Sequence, residues 1–375
     1  MSAKRYDALI AGAGPAGCAV ALALQRLGVE TLLADRPLAQ PFRIGESATP
    51  DVAGLLQRLD MRIDFAGHSP YHGNLALWGS DQPQLDHFLF RGRGHGWHLD
   101  RSAFDRMLQQ EAMARGVAFL GQSGVDGVAP DEGGWKVQVR GIGEVRARVL
   151  VDAGGRRSPL AARLGVARHR LDRLQALACH VETAGDLSGY SLVESSPHGW
   201  WYATALPDGR ALLALMTDQD LAREQRLDHA GNFLAAWRAT RLLAERLPPP
   251  LQASSLHAFA AHSGCVARAA GPNWICVGDA LMGLDPLTSS GISGALSDAL
   301  AAAPAIVGML NGNLNAARHY AQRADDSFRR YLAERRQHYG LETRWTELPF
   351  WQRRCPPPLG GSRHAAPRAY QGRLA

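Results

Sequence analysis

The spacing of apolar and polar positions divides the chain into two kinds of region. Tyr6-Asp7-Ala8-Leu9-Ile10-Ala11 is a short apolar run that predicts a buried strand, and it enters Gly12-Ala13-Gly14-Pro15-Ala16-Gly17. An apolar helix follows through Leu27, then a second strand from Glu30 to Ala34 that ends at Asp35. Val149 to Asp152 and Trp274 to Val277 are further continuous apolar runs, the pattern of strands buried on both faces. A helix rich in Ala and Leu starts at about Ser293. Between these units lie shorter strand-like runs: Leu75 to Trp78 and His87 to Phe90, then Ala178 to Val181, Ser191 to Glu194, Trp200 to Ala203 and Ala211 to Met216. A helical stretch from Asn232 to Leu247 closes the second group.

This order predicts an α/β fold with a discontinuous Rossmann-like dinucleotide domain (1–70, 95–170 and 265–340) and an inserted β-sheet substrate domain (71–94 and 171–264). A C-terminal helical segment and tail take up 341–375, with a Pro-, Gly- and Arg-rich end from Cys355 that reads as a disordered tail. The inserts would form a sheet that roofs the cofactor, with the substrate cavity beneath.

The first turn carries the chemistry. Strand, GxGxxG turn, helix, strand and an acid about 20 residues on form the dinucleotide fingerprint in its full context. Gly12 permits the tight turn, Gly14 lets the backbone approach a pyrophosphate, and Gly17 lets the helix pack on the sheet. Pro15 stands near the first helical turn, where its missing N–H costs nothing. The helix N-terminus offers free N–H groups to phosphates, with Ala16 in its first turn, and Asp35 can accept from ribose hydroxyls. The motif alone does not separate FAD from NAD. Two later strands do: one ends in Asp152-Ala153-Gly154-Gly155-Arg156-Arg157-Ser158, the other in Gly278-Asp279-Ala280. Asp279 can reach a ribityl or ribose hydroxyl. The turn Pro286-Leu287-Thr288-Ser289-Ser290-Gly291-Ile292 then opens a helix whose N-terminal N–H groups suit the negative charge of a reduced flavin.

Composition narrows the partners. Hydrophobic residues make up 46% and charged residues 20%, ordinary for a globular enzyme. No run approaches the ~18 apolar residues of a membrane span, and the N-terminus does not read as a signal peptide, so the default expectation is the cytoplasm. Five scattered cysteines argue against a disulfide framework and against a zinc site. The net charge of +6 is almost all arginine, the better fork for phosphates, with lysine only at Lys4 and Lys136. No basic stripe interleaves with aromatics, which argues against nucleic acid.

The three ordered motifs together resemble the para-hydroxybenzoate hydroxylase fold group, which holds single-component FAD hydroxylases and the flavin-dependent halogenases. The resemblance implies that Asp279 binds the ribityl or ribose part of FAD, that Pro286 lies over the isoalloxazine, and that Arg101 touches the FAD phosphate region. Arg36, Arg43, Asp152, Gly278, Gly291 and Ile292 complete the candidate cofactor contacts. Arg43-Ile44-Gly45-Glu46-Ser47-Ala48-Thr49-Pro50 resembles the halogenase branch, and Trp200 stands at the first tryptophan of the halogenases' Trp-x-Trp-x-Ile-Pro signature. Tyr202, Thr204 and Ala205 replace the rest. Flavin halogenases are thought to use a lysine beside the substrate in the first third of the chain. Lys4 precedes the first strand and Lys136 sits in a hairpin far along. Thr288 replaces the glutamate of the tryptophan halogenases.

What remains is oxygen insertion, in which reduced flavin and O₂ give a C4a-hydroperoxide that needs a dry cavity and an electron-rich ring. The candidate catalytic residues are Glu46, Trp200, Pro286 and Thr288, with Trp78, Trp201, His98 and His198 available for stacking and polar placement. The Gly-Glu-Ser element, the missing lysine and the end Glu342 to Arg354 also resemble the flavoprotein maturases of quinone-cofactor amine and amino-acid oxidases. That resemblance implies an aromatic, indole-type substrate such as a tryptophan inside an oxidase precursor, with NAD(P)H or external reduced flavin as electron donor. Trp345, Phe350, Trp351, Arg353 and Arg354 are then either docking groups for that precursor or a clamp fixing the last helix. A small-molecule aromatic hydroxylase, a flavin-dependent reductase and a non-catalytic FAD-binding maturation chaperone are the alternatives.

Overall fold

In a computed structural model, residues 4–36, 43–182, 187, 189–247, 255–313 and 315–355 are described; the Pro-rich tail lies outside them. Two large sheets carry the architecture. The first has a parallel core in which Arg5–Ala11 lies between Thr31–Ala34 and Gly143–Asp152, flanked by Ala118–Leu120 and Trp274–Cys276. Leu9, Ile10, Leu33, Leu150, Val151 and Ile275 are fully buried there, in one core with helix residues such as Val20 and Leu296 and with Val137 and Val139 of the neighbouring hairpin. Helix Pro15–Arg26 packs directly against helix Gly291–Leu310, and the long helix Asn315–Gly340 lies against the latter. Gly291–Leu310 is long and apolar enough to cross a membrane, yet half of it is buried in this core.

The second sheet has seven strands, in the order His257–Ala260, Leu174–Glu182, Arg210–Asp218, Gly199–Ala205, Tyr190–Ser196, Gly73–Leu77 and Gln84–His87. Both inserts thus contribute to one sheet. Alternation along Gly199–Ala205 sends Trp201 to one side, edge-on to Phe233, and Trp200 to the other. The register pairs Trp200 with Met216, Tyr202 with Ala214 and Thr204 with Leu212, so Trp200, Tyr202, Ala214 and Met216 share a face.

Two local expectations fail for identifiable reasons. The helix expected over Asn232–Leu247 is broken into Ala230–Arg238 and Leu242–Arg246. The buried Glu194 carboxylate accepts from the N–H groups of Arg241 and Leu243 at 2.7 and 2.8 Å, which starts the second helix afresh. The strand expected at His87–Phe90 ends at His87, whose Nδ1 accepts from Leu89 N–H and begins a 3-10 turn over Phe88–Arg91.

Candidate active site

A cavity of about 600 Å³ lies between the parallel sheet and the seven-stranded roof. Ala11, Gly12, Gly14, Pro15 and Ala16 line it together with Asp35, Arg36, Arg43 and Arg101. Sterics explain the glycines. A Cβ on Gly12, whose φ is +111°, would sit 2.4 Å from the carbonyl oxygen of Ala153, and one on Gly17 would sit 1.8 Å from that of Gly12. A Cβ on Gly14 would meet nothing within 4 Å, so this position faces the open cavity. Gly17 packs behind the turn and does not line it. Gly14 caps helix Pro15–Arg26 without a side-chain hydrogen bond, which leaves the first-turn N–H groups for a ligand. Asp35 Oδ1 accepts from Ala13 N–H at 3.1 Å, and burial pushes its carboxyl up from the ordinary range.

The arginines are built in rather than free-standing. Arg43 pairs with Asp105. Arg101 Nη1 donates to the carbonyls of Ile44 and Gly45 at 3.1 and 3.0 Å, and its Nη2 lies 3.3 Å from Asp105. The Nε of Arg101 is buried and has no partner among the described residues, an orphaned donor on a side chain that lines the cavity. Arg156 holds the carbonyls of His262 and Leu284, both at 2.6 Å, and reaches Asp279 at 3.3 Å.

Further along, Gly291, Ile292, Pro286, Ser289 and Ser290 line the cavity at the start of helix Gly291–Leu310, which also lacks a side-chain cap. Asp279 lines the cavity and is partly exposed to it. Three sequence candidates do other work. Asp152 accepts from the N–H groups of Gly154, Leu160 and Ala161 at 2.8–3.0 Å, so its carboxylate caps the helix Pro159–Arg163 instead of meeting a ribose. Gly278 makes room for Ala16, where a Cβ would lie 2.7 Å away, and its N–H goes to Asp298. Thr288 turns toward Ser290, which bonds its Oγ1 at 3.0 Å, and does not line the cavity. Asp298, which no sequence motif singles out, is buried in a helix and is pushed up to about 6 by that burial.

Glu46 is the group best placed for acid–base work. It lines the cavity, its Oε2 accepts from Gly45 N–H at 2.8 Å, and burial raises its carboxyl to about 7 against the partly opposing Arg101. Beside it, Ser47 Oγ and Tyr202 Oη lie 2.6 Å apart, and burial lifts the Tyr202 phenol to about 12. Ser191 links this pair to His98 Nε2 at 3.1 Å, so His98 stands behind the wall, neutral, with burial lowering it to about 3. Trp200 lines the cavity, whereas Trp78, Trp201 and His198 do not. Tyr202, Leu212, Ala214, Met216, Ala260 and Ala261 extend the roof wall.

The raised carboxyl of Glu46 has a consequence for stability. A carboxyl whose folded-state value exceeds its unfolded value near 4.5 binds its proton more tightly when folded, so the wild type loses stability as pH rises from 4.5 to 7 and stays at the lower level above 7. Glu46→Gln keeps the acceptor and removes the charge. Its thermal midpoint should exceed that of the wild type at pH 8, by the equivalent of ~3 kcal/mol, and coincide with it near pH 4.

The C-terminal aromatics are wall, not dock. Phe350 and Trp351 are buried, and Trp351 Nε1 donates to Ser196 O at 3.0 Å. Arg354 is buried on Asp218 at 2.6 Å, and Arg353 binds Asp218 and Asp220 at 2.8 Å. Burial removes Phe350, Trp351 and Arg354 as docking groups, whereas Arg353 stays exposed beside its carboxylates and Trp345 is half-buried against Trp351.

An orphaned guanidinium donor, an open glycine backbone, two uncapped helix starts and a partly exposed carboxylate fit a flavin dinucleotide. Known proteins agree. Over 361 residues the chain is 30% identical to "Putative FAD-dependent oxidoreductase LodB" of Marinomonas mediterranea, covering 94% of this chain and 97% of that one. It is 26% identical to a tryptophan 2-halogenase of Chondromyces crocatus, over 82% of this chain and 62% of the relative. The flavin-dependent halogenase CmlS superposes with a TM-score of 0.82 at 25% identity, covering 96% of this chain and 68% of that one. The peptidyl tryptophan dihydroxylase QhpG, essential for tryptophylquinone cofactor biogenesis, superposes with a TM-score of 0.72 at 28% identity, covering 96% and 81%. The sequence profile of the tryptophan halogenases matches residues 81–360, and the chain belongs to that family of flavin-dependent enzymes.

Proposed function

We propose that this family member is an FAD-dependent monooxygenase that hydroxylates an indole-type ring, that of a tryptophan in the precursor of a partner oxidase during quinone-cofactor maturation. The observation that carries the reading is the position of the two lysines. Lys4 is exposed over the ring of Tyr6, and Lys136 lies on a hairpin strand 3.7 Å from Asp131; neither lines the cavity. A halogenating lysine beside the substrate has no counterpart here. The roof wall adds to this. Trp200, Leu212, Ala214, Met216, Ala260 and Ala261 offer no charge to hold the ammonium and carboxylate of a free amino acid, whereas a side chain presented by a polypeptide brings neither.

Arg36, Arg43, Arg101, Asp35, Asp279 and the two helix starts would hold the FAD. When bound, FAD supplies the electrons that activate O₂, drawn from NAD(P)H or external reduced flavin, so that one oxygen atom enters the ring and the other leaves as water. The ring carbon that gains oxygen releases its hydrogen as a proton. Glu46, with its carboxyl near 7, can take that proton and return it at neutral pH. Trp200 and Met216 keep the wall dry, and the Tyr202 hydroxyl gives it a polar point.

Asp279→Ala should leave a folded protein that loses at least tenfold in FAD affinity, seen as pale protein after desalting. Co-expression with an oxidase precursor tests the function itself. One tryptophan of the precursor should gain one or two oxygens, and lose that gain with Asp279→Ala. An unmodified precursor beside rapid turnover of free phenols or indoles would transfer the reading to a small-molecule hydroxylase.

A further inference from the structure

We propose that Tyr339 is a positioning residue of the cavity, which joins its wall at Trp200 to its wall at the Asp285–Pro286 turn and so fixes the distance between them. Tyr331, Arg335 and Tyr339 stand four residues apart on the long helix Asn315–Gly340, which puts them on one face. All three meet Asp285. Tyr331 Oη accepts from Asp285 N–H at 2.7 Å, while Arg335 Nε and Tyr339 Oη donate to Asp285 Oδ2 at 3.1 and 2.8 Å. Oδ1 accepts from Leu287 N–H at 3.1 Å and so caps the turn that carries Pro286.

Tyr331 also meets Ser263 and Arg335 also meets Asp172, but of the three it is Tyr339 that reaches Trp200. Its oxygen accepts from Trp200 Nε1 at 2.9 Å, and Trp200 lines the cavity as Asp285 and Pro286 do. Asp285, Tyr339 and Trp200 are each at most 1% exposed, so water cannot replace a lost partner at any of them. The packing behind Tyr339 holds the hydroxyl in place: Arg335 and Arg354 lie 5.1 and 5.3 Å from its ring centre, and Trp351 packs edge-on at 6.0 Å. The C-terminal residues Trp351 and Arg354 thereby pack behind the side chain that links the two walls. Without the Tyr339 hydroxyl, the indole N–H of Trp200 is unpaired and nothing polar fixes the tilt of its ring.

The test reads the ring's position through bound FAD, whose fluorescence a nearby indole quenches in a distance-dependent way. Fluorescence lifetimes are measured on the holoprotein as wild type, Tyr339→Phe, Trp200→Phe, the double variant and Tyr331→Phe. Trp200→Phe should lengthen the mean lifetime, and Tyr339→Phe should change it at least twofold. Tyr339→Phe should have no effect in the Trp200→Phe background, and Tyr331→Phe, which holds Asp285 but not Trp200, should leave the lifetime near wild type. A lifetime unmoved by Tyr339→Phe, or moved equally with and without Trp200, overturns the proposal, as does a lifetime indifferent to Trp200→Phe. If Tyr339→Phe yields no holoprotein, the wild type still decides. Its Trp200 indole N–H, assigned by the loss of one signal in Trp200→Phe, should exchange with D₂O at least a hundredfold more slowly than that of an exposed tryptophan, and exchange within the dead time overturns the proposal.

Discussion

Mixed with reduced FAD, dioxygen, bromide and a free indole, the holoprotein should yield no more brominated indole than free hydrogen peroxide does, and catalase should abolish what forms. The names of many relatives lead the other way, since they are halogenases. The frame of a fold does not fix its chemistry; the groups in the cavity do. Capturing hypohalous acid next to a substrate needs an amine there, and the chain's two lysines are held elsewhere, one over Tyr6 and one beside Asp131. The cavity arginines do not take that role, because a guanidinium stays protonated and is a poor nucleophile. Bromination that persists in catalase and exceeds the peroxide control would show that another group serves in the lysine's place.

Gly17→Ala should cost the protein its FAD, with an affinity loss above a hundredfold, and should lower the thermal midpoint markedly. The added Cβ would sit 1.8 Å from one backbone oxygen, and neither partner has a flexible end that can swing away. Helix and strand must separate, and the phosphate-binding turn moves with them. Gly14→Ala provides the contrast. Gly14 has φ −79°, which any residue adopts, and its Cβ would meet only open cavity. That variant should melt like the wild type when flavin-free, yet bind FAD about tenfold more weakly. Titration of apoprotein with FAD, followed by flavin fluorescence, separates the two. Equal losses in both variants would contradict the steric account.

These contrasts also explain what could be read from the sequence. Gly12 and Gly17 were legible because steric demand leaves glycine no substitute, Gly14 because the open backbone there suits a pyrophosphate, and Asp279 because an acid ends a buried strand beside a turn. Asp152 looks the same by that rule, but only the N–H groups of Gly154, Leu160 and Ala161 reveal that it is a cap. Tyr202 was hidden because it replaces a tryptophan in a broken signature; the register against Ala214 is what turns it into the cavity. The aromatics at 345–351 left dock and clamp equally open in sequence, and burial of Phe350 and Trp351 decides for the clamp. The Tyr331, Arg335 and Tyr339 stripe escaped the sequence reading, because its target, Asp285, is 46 residues before it along the chain at the nearest.

The central claim is that oxygen, not halogen, is placed on a tryptophan held in a polypeptide. It is tested most directly by one reaction containing the holoprotein, reduced FAD, bromide, ¹⁸O₂ and an unmodified oxidase precursor. Mass spectrometry of the precursor's tryptic peptides should find ¹⁸O on one tryptophan and no bromine anywhere. Bromine on that tryptophan, or no label on the precursor while a free indole in the same vessel becomes labelled, would contradict the account.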